Sequence, residues 1–129
     1  MIRVLGGAND PATRLENRIG EPAANPYLYI LSQIVAGLAG IDSASPLPPP
    51  SDEPYAAERP MLPKSLADAL DALDGESLFR HTLGDTFVDY FIKLKRSEVE
   101  RYVRSLTEAR TPPSDEPSEW EHNEYFDFF

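Results

Sequence analysis

The chain has 129 residues and a net charge of −10, with 22 acidic against 12 basic side chains. That length allows one domain or part of one, and that charge argues against a nucleic-acid partner held through phosphate contacts. Cysteine is absent, which excludes a disulfide framework, a thiol nucleophile and a thiolate metal site.

Met1–Leu5 reads as a short strand in which Ile2 and Val4 alternate with Arg3. Gly6-Gly7-Ala8-Asn9-Asp10-Pro11 has the composition of a turn. A return strand over about 13–19 then makes residues 1–19 a strand region that can close as a hairpin. A lone hairpin is marginal in water, and its open edges invite further pairing. Side chains of a strand alternate with period 2, so Arg14, Glu16 and Arg18 share one face. Each is roughly 6.5–7 Å from the next along the strand. A carboxylate between guanidinium groups suits a site that holds a polyanion together with a hard cation. The same alternation is also the ordinary pattern of an exposed salt-bridge ladder.

A helix is expected over 25–40, with Asn25 as N-cap, Pro26 at N1 and Gly40 as the closing residue. Leu28, Leu31, Ile34, Val35 and Leu38 recur at helical spacing. Tyr27 and Tyr29 read as core or interface aromatics. Ser32, Gln33 and Gly37 interrupt this apolar stretch, which is too short and too polar to span a bilayer. No basic leader precedes an apolar run, so no signal peptide is expected, and the cytoplasm is the expected location.

Residues 42–63 carry seven of the 13 prolines, a density that favours extended structure and a stiff, Pro-rich loop. Ser65 with Asp68 resembles a capping box and opens a helix over 65–74. One further helical turn is expected over Ser77–His81, with His81 at the surface. The longest helix is expected over 86–108. Phe87, Phe91, Leu94, Tyr102 and Leu106 mark its apolar side, while Lys93, Lys95, Arg96, Glu98, Glu100, Arg101 and Arg104 fall on a solvated one. Residues 110–118 read as a linker. A short helix and aromatic tail over 118–126 and beyond bring Trp120, Tyr125, Phe126, Phe128 and Phe129 into ten residues. So many rings need a partner surface. They either fold back on the long helix or dock on a neighbouring subunit. The fold class is α+β and mostly helical.

Arg14-Leu15-Glu16-Asn17-Arg18, a Gly-Glu-Pro turn, and Ala23-Ala24-Asn25-Pro26-Tyr27-Leu28 ahead of a helix ending Ala36-Gly37-Leu38-Ala39-Gly40-Ile41 resemble the C-terminal part of the glutamine synthetase catalytic domain. Leu62–Leu66 with the helix after it, Leu83–Tyr90 with Lys95–Glu98, and Trp120–Phe126 continue the resemblance in order. It implies a partial catalytic domain with an N-terminal β-hairpin. The family's N-terminal domain and the larger part of its catalytic domain, with most metal ligands, would precede Met1.

The resemblance further implies an ATP-dependent ligase that phosphorylates a substrate carboxylate, glutamate or a relative. Ammonia or an amine then displaces the phosphate, with Mg²⁺ or Mn²⁺ as cofactor. By motif, Glu16 would be a metal ligand. Arg3, thirteen residues before Glu16, and Arg14 would contact ATP, with Arg3 also acting on the transferring phosphoryl group. Arg18 would hold the substrate carboxylate and act in catalysis. Tyr55 is the candidate for a tyrosine that is nucleotidylated in some relatives, but Glu53-Pro54 and Ala56-Ala57 depart from that motif and the regulation is not carried over. The resemblance also implies a homo-oligomer packed through C-terminal segments. One carboxylate cannot assemble a multi-metal site, so this chain alone is expected to be inactive. Three readings follow: part of a glutamine synthetase-like ligase, a non-catalytic module that binds a full-length relative, or a functionless remnant. The retained Arg3, Arg14, Glu16, Arg18 and Asn25 favour the first over the last. The wording Glu16-Asn17-Arg18 and the Tyr-Phe-Asp ending look closer to the γ-glutamyl-amine ligases than to a housekeeping glutamine synthetase.

Overall fold

The computed structural model describes residues 2–51, 60–110, 112, 114 and 116–126. Tyr55 and the last two phenylalanines lie outside the described residues. The order of elements is β1 (Ile2–Leu5), β2 (Arg14–Asn17), α1 (Pro26–Asp42), α2 (Leu66–Gly75), α3 (Ser77–Leu83), α4 (Asp85–Ala109) and α5 (Glu119–Tyr125). The described residues are thus mostly helical, with one small antiparallel hairpin.

The hairpin pairs Ile2 with Asn17, Arg3 with Glu16, Val4 with Leu15 and Leu5 with Arg14. Its loop is closed by side chains. The Thr13 hydroxyl donates to the Gly7 carbonyl at 2.8 Å, and Asp10 Oδ1 accepts from the Ala12 amide at 2.8 Å. Gly6 sits at φ +86°, and a Cβ there would lie 2.7 Å from the Thr13 backbone, so glycine is required. Strand β2 stops at Asn17 and does not run to residue 19. Asn17 Oδ1 accepts the Ile19 amide at 3.1 Å, and this local side-chain bond takes the backbone out of the ladder.

Helix α1 begins as expected at Asn25, whose side chain accepts from the Tyr27 and Leu28 amides. It does not end at Gly40. Ser45 N–H reaches the Gly40 carbonyl and Ala44 N–H the Ile41 carbonyl, both at 3.0 Å. These two bonds close a Schellman motif around Ala44 at φ +49°. Ser65 accepts from the Asp68 amide at the start of α2. A complete capping box, which the sequence reading did not single out, opens α5 between Ser118 and Glu121. No regular element runs through 45–51 or 60–63.

Leu70 of α2 and Val88 and Ile92 of α4 form the buried centre, with Leu73, Phe79, Leu83, Phe91 and Val99 packed around them. α2 and α3 both lie on α4, and α1 lies on α3. Arg80 ties the corner together: its guanidinium pairs with Asp74 at the end of α2 and with Asp85 and Asp89 at the start of α4. Its hydrogen bonds to Asp89 and Asp74 raise its pKa above the ordinary arginine value. Arg96 adds a 2.9 Å pair to Asp71.

Lys95 and Glu98 were expected on the solvated face of α4. They instead point under α5. Lys95 Nζ donates to both Glu98 carboxylate oxygens at 2.8 and 2.9 Å, and the Tyr125 hydroxyl donates to Glu98 at 2.8 Å. Trp120 packs on Tyr102 with ring centroids 5.3 Å apart. Arg101 pairs with Glu124 at 2.6 Å and lies over the Trp120 ring. Of the two placements open for the tail rings, Trp120 and Tyr125 adopt the fold-back on the long helix. Phe126 remains 75% exposed.

Candidate active-site row

Register places Arg3 directly across from Glu16. Antiparallel partners share a face, so Arg3 joins the face that carries Arg14 and Glu16. Arg3 Nη1 stands 3.9 Å from one Glu16 oxygen, and Arg18 Nε stands 3.6 Å from the other. Both separations exceed a hydrogen bond. The carboxylate is therefore bracketed by two positive charges while its lone pairs stay open to a cation. All three side chains are partly exposed, Glu16 the least at 38%. Loose, solvated ion pairs of this kind contribute little to stability.

The sequence pattern put Arg14 and Arg18 on either side of Glu16. The structure brings Arg3 and Arg18 to it instead. Arg14 stands at the loop end of the hairpin, where its guanidinium donates to the Ala12 carbonyl at 3.0 Å. Arg18 lies one residue beyond the strand and still reaches Glu16.

Next to the row is an open pocket of about 430 Å³ whose lining includes Glu16, Arg18, Gly20, Glu21, Pro22 and Tyr29. Tyr29, read from sequence as a core or interface aromatic, lines this pocket and packs against Gly20, where an added Cβ would meet its ring at 3.0 Å. Tyr27 is 82% exposed. Glu21 was not singled out beforehand. Its position in a Gly-Glu-Pro turn just after the charged row was the available signal, and its carboxylate also accepts the Ala23 amide at 3.2 Å. Among the described residues, no three histidine or acidic side chains gather as a metal-binding group. Glu16 can offer a hard cation one carboxylate.

The family described as "Glutamine synthetase, catalytic domain" matches residues 1–121. The chain belongs to the glutamine synthetase family. Among its relatives, a γ-glutamylanilide synthase of Acinetobacter sp is 49% identical over 127 residues, 98% of this chain and 25% of that protein. A glutamate–methylamine ligase of Methyloversatilis universalis is 34% identical over 133 residues, 96% of this chain and 27% of that protein. A glutamine synthetase of Vibrio alginolyticus is 39% identical over 114 residues, 78% of this chain and 24% of that protein. The chain thus spans about a quarter of the length of these curated relatives. Among the described residues, no helix is long and apolar enough to cross a membrane.

Proposed function

We propose that this chain forms the C-terminal part of the catalytic domain of an ATP-dependent carboxylate–amine ligase that makes glutamine or a γ-glutamyl amide. The observation that carries the reading is the row Arg3, Glu16 and Arg18, held on one side of a hairpin with its carboxylate free to bind a cation. Glu16 contributes one ligand to Mg²⁺ or Mn²⁺, and the remaining ligands come from outside these residues. A cation held there would supply charge neutralisation to phosphate oxygens. Arg3 stabilises the negative charge that develops on the transferring group, and Arg14, with Arg3, holds ATP phosphates once its guanidinium leaves the Ala12 carbonyl. Arg18 binds the substrate carboxylate through its planar fork.

An amine acceptor, rather than ammonia alone, is favoured by the similarity to proteins named for anilide and methylamine products. A homo-oligomer that uses the exposed Phe126 edge of the tail, in the cytoplasm, completes the proposal. The 129 residues by themselves supply one metal ligand and are inactive alone in this reading.

The test is to purify the protein at the length found in its own cells, by immunoblot against the tail and intact mass. ADP release is then measured with ATP, glutamate, and ammonia, methylamine or aniline in turn. Amine-dependent ADP release that is lost in Glu16→Gln supports the proposal, and release that survives Glu16→Gln overturns the metal role. A second reading, a non-catalytic module that binds a full-length relative, is favoured by the exposed apolar face of the hairpin, where Ile2, Val4 and Leu15 are 63%, 71% and 71% exposed. Co-purification with that relative, without ADP release, would select it.

A further inference from the structure

Arg18 lies past the last paired residue of β2, so strand pairing does not orient it. The residues on either side of it are held by side-chain contacts. On one side of it, Asn17 Nδ2 donates to Gln33 Oε1 of α1 at 2.6 Å. The other end of the same amide, Oδ1, accepts the Ile19 amide at 3.1 Å. One Asn17 side chain thus bridges across Arg18 and fastens the end of the strand to a helix. Two residues on, Gly20 sits so close to the Tyr29 ring of α1 that an added Cβ would meet it at 3.0 Å.

The geometry has a directional consequence. Asn17 and Glu16 are adjacent in a strand, so their side chains leave on opposite faces. The Asn17–Gln33 bond fastens the end of the strand to α1, while Glu16 lines the pocket that Tyr29 of α1 also lines. The turn that follows brings the Arg18 Nε back to 3.6 Å from Glu16. A short two-stranded ladder is weakly specified in register, and a slip by one residue would reverse every side chain. The Asn17–Gln33 bond opposes that slip.

We infer that Asn17, tethered by Gln33, is a positioning residue that sets the direction of Arg18 and hence the affinity of the site for a substrate carboxylate. The inference rests on the ligase reading of Arg18. Asn17 itself touches no substrate. The loss of its side chain lets Arg18 sample other directions while its charge is retained.

The experiment has a readout on the chain and one on the native-length protein. In the 129-residue chain, Asn17→Ala removes the acceptor from the Ile19 amide, whose hydrogen exchange is expected to accelerate by roughly tenfold. In the native-length protein, Asn17→Ala is expected to raise KM for the carboxylate substrate by roughly ten- to hundredfold. KM for ATP should stay within about twofold of wild type. Asn17→Asp, which keeps an acceptor for Ile19 and can receive a flipped Gln33 amide, is expected to recover most of the effect. Gln33→Leu should fall between Asn17→Ala and wild type. An unchanged carboxylate KM in Asn17→Ala overturns the inference and leaves the ligase reading intact. Equal loss for carboxylate and ATP, without recovery by Asn17→Asp, overturns it as a general folding defect. Absence of amine-dependent ADP release from the wild-type protein overturns the ligase reading and this inference with it, whatever the exchange of Ile19.

Discussion

The Tyr125 hydroxyl donates to the Glu98 carboxylate at 2.8 Å, joining residues 27 apart in the chain. Glu98 is 8% exposed. A buried carboxylate is costly unless it is paired and hydrogen-bonded. Here Lys95 supplies the counter-charge and Tyr125 the additional donor, with the lysine also 5.6 Å from the tyrosine ring centroid. The polar cluster fastens α5 to α4 beside the Trp120–Tyr102 contact.

Tyr125→Phe keeps the ring and removes the donor. Glu98 then keeps Lys95 alone in a part-buried site. The expected loss is about 1–2 kcal/mol in urea unfolding. Hydrogen exchange of the α5 amides should rise more than that of α2. Stability unchanged from wild type would mean that water replaces the hydroxyl at no cost.

The pH dependence has a definite sign. Burial first, and then the hydrogen bond to Glu98, raise the Tyr125 pKa above its ordinary value of 10.0. The folded state therefore holds this proton more tightly than the unfolded chain. Its contribution is fully present below about pH 10 and shrinks as the unfolded state begins to lose the proton. The stability difference between wild type and Tyr125→Phe should narrow as pH rises above about 10. A gap that widens with pH would show that folding lowers the tyrosine pKa instead.

Much of the helical layout was legible because it is local. Asn25-Pro26 at α1 and Ser65-x-x-Asp68 at α2 are side-chain-to-backbone signals within a few residues, and the structure uses both caps. The side of α4 that faces inward was less legible. Composition placed Lys95 and Glu98 outside, yet they are covered by a helix that arrives more than twenty residues later. Nothing in the periodicity of α4 reveals that cover. The row Arg14, Glu16 and Arg18 was readable as strand alternation. That Arg3 rather than Arg14 faces Glu16 depends on hairpin register, which is set by the closing bonds of the 6–13 loop.

The end of α1 offers a stabilising change. Ala44 adopts φ +49° to complete the Schellman bonds, and an L-residue in the left-handed region costs roughly 1–2 kcal/mol. Glycine takes that conformation freely but loses more entropy on folding. The net expectation for Ala44→Gly is a gain of about 0.5–1 kcal/mol, read as a higher urea midpoint at unchanged slope. A lower midpoint would show that unfolded-state entropy outweighs the relief of strain.

Arg18→Lys tests geometry against charge. Both side chains are cationic, and Arg18 is half exposed at 47%, so a role limited to screening Glu16 would leave the substitution almost silent. A carboxylate held by a planar fork accepts two parallel N–H donors, which an ammonium cannot reproduce. Loss of one charge-assisted bond of about 1.5–3 kcal/mol corresponds to roughly a tenfold to hundredfold fall in kcat/KM for the proposed ligase at its native length. The fall should appear for every amine acceptor alike, because Arg18 is assigned to the carboxylate and not to the amine. Stability should change by less than about 0.5 kcal/mol, since the Arg18–Glu16 pair is loose and solvated. Near-wild-type kcat/KM in Arg18→Lys would remove Arg18 from the substrate site and leave it as a surface partner of Glu16.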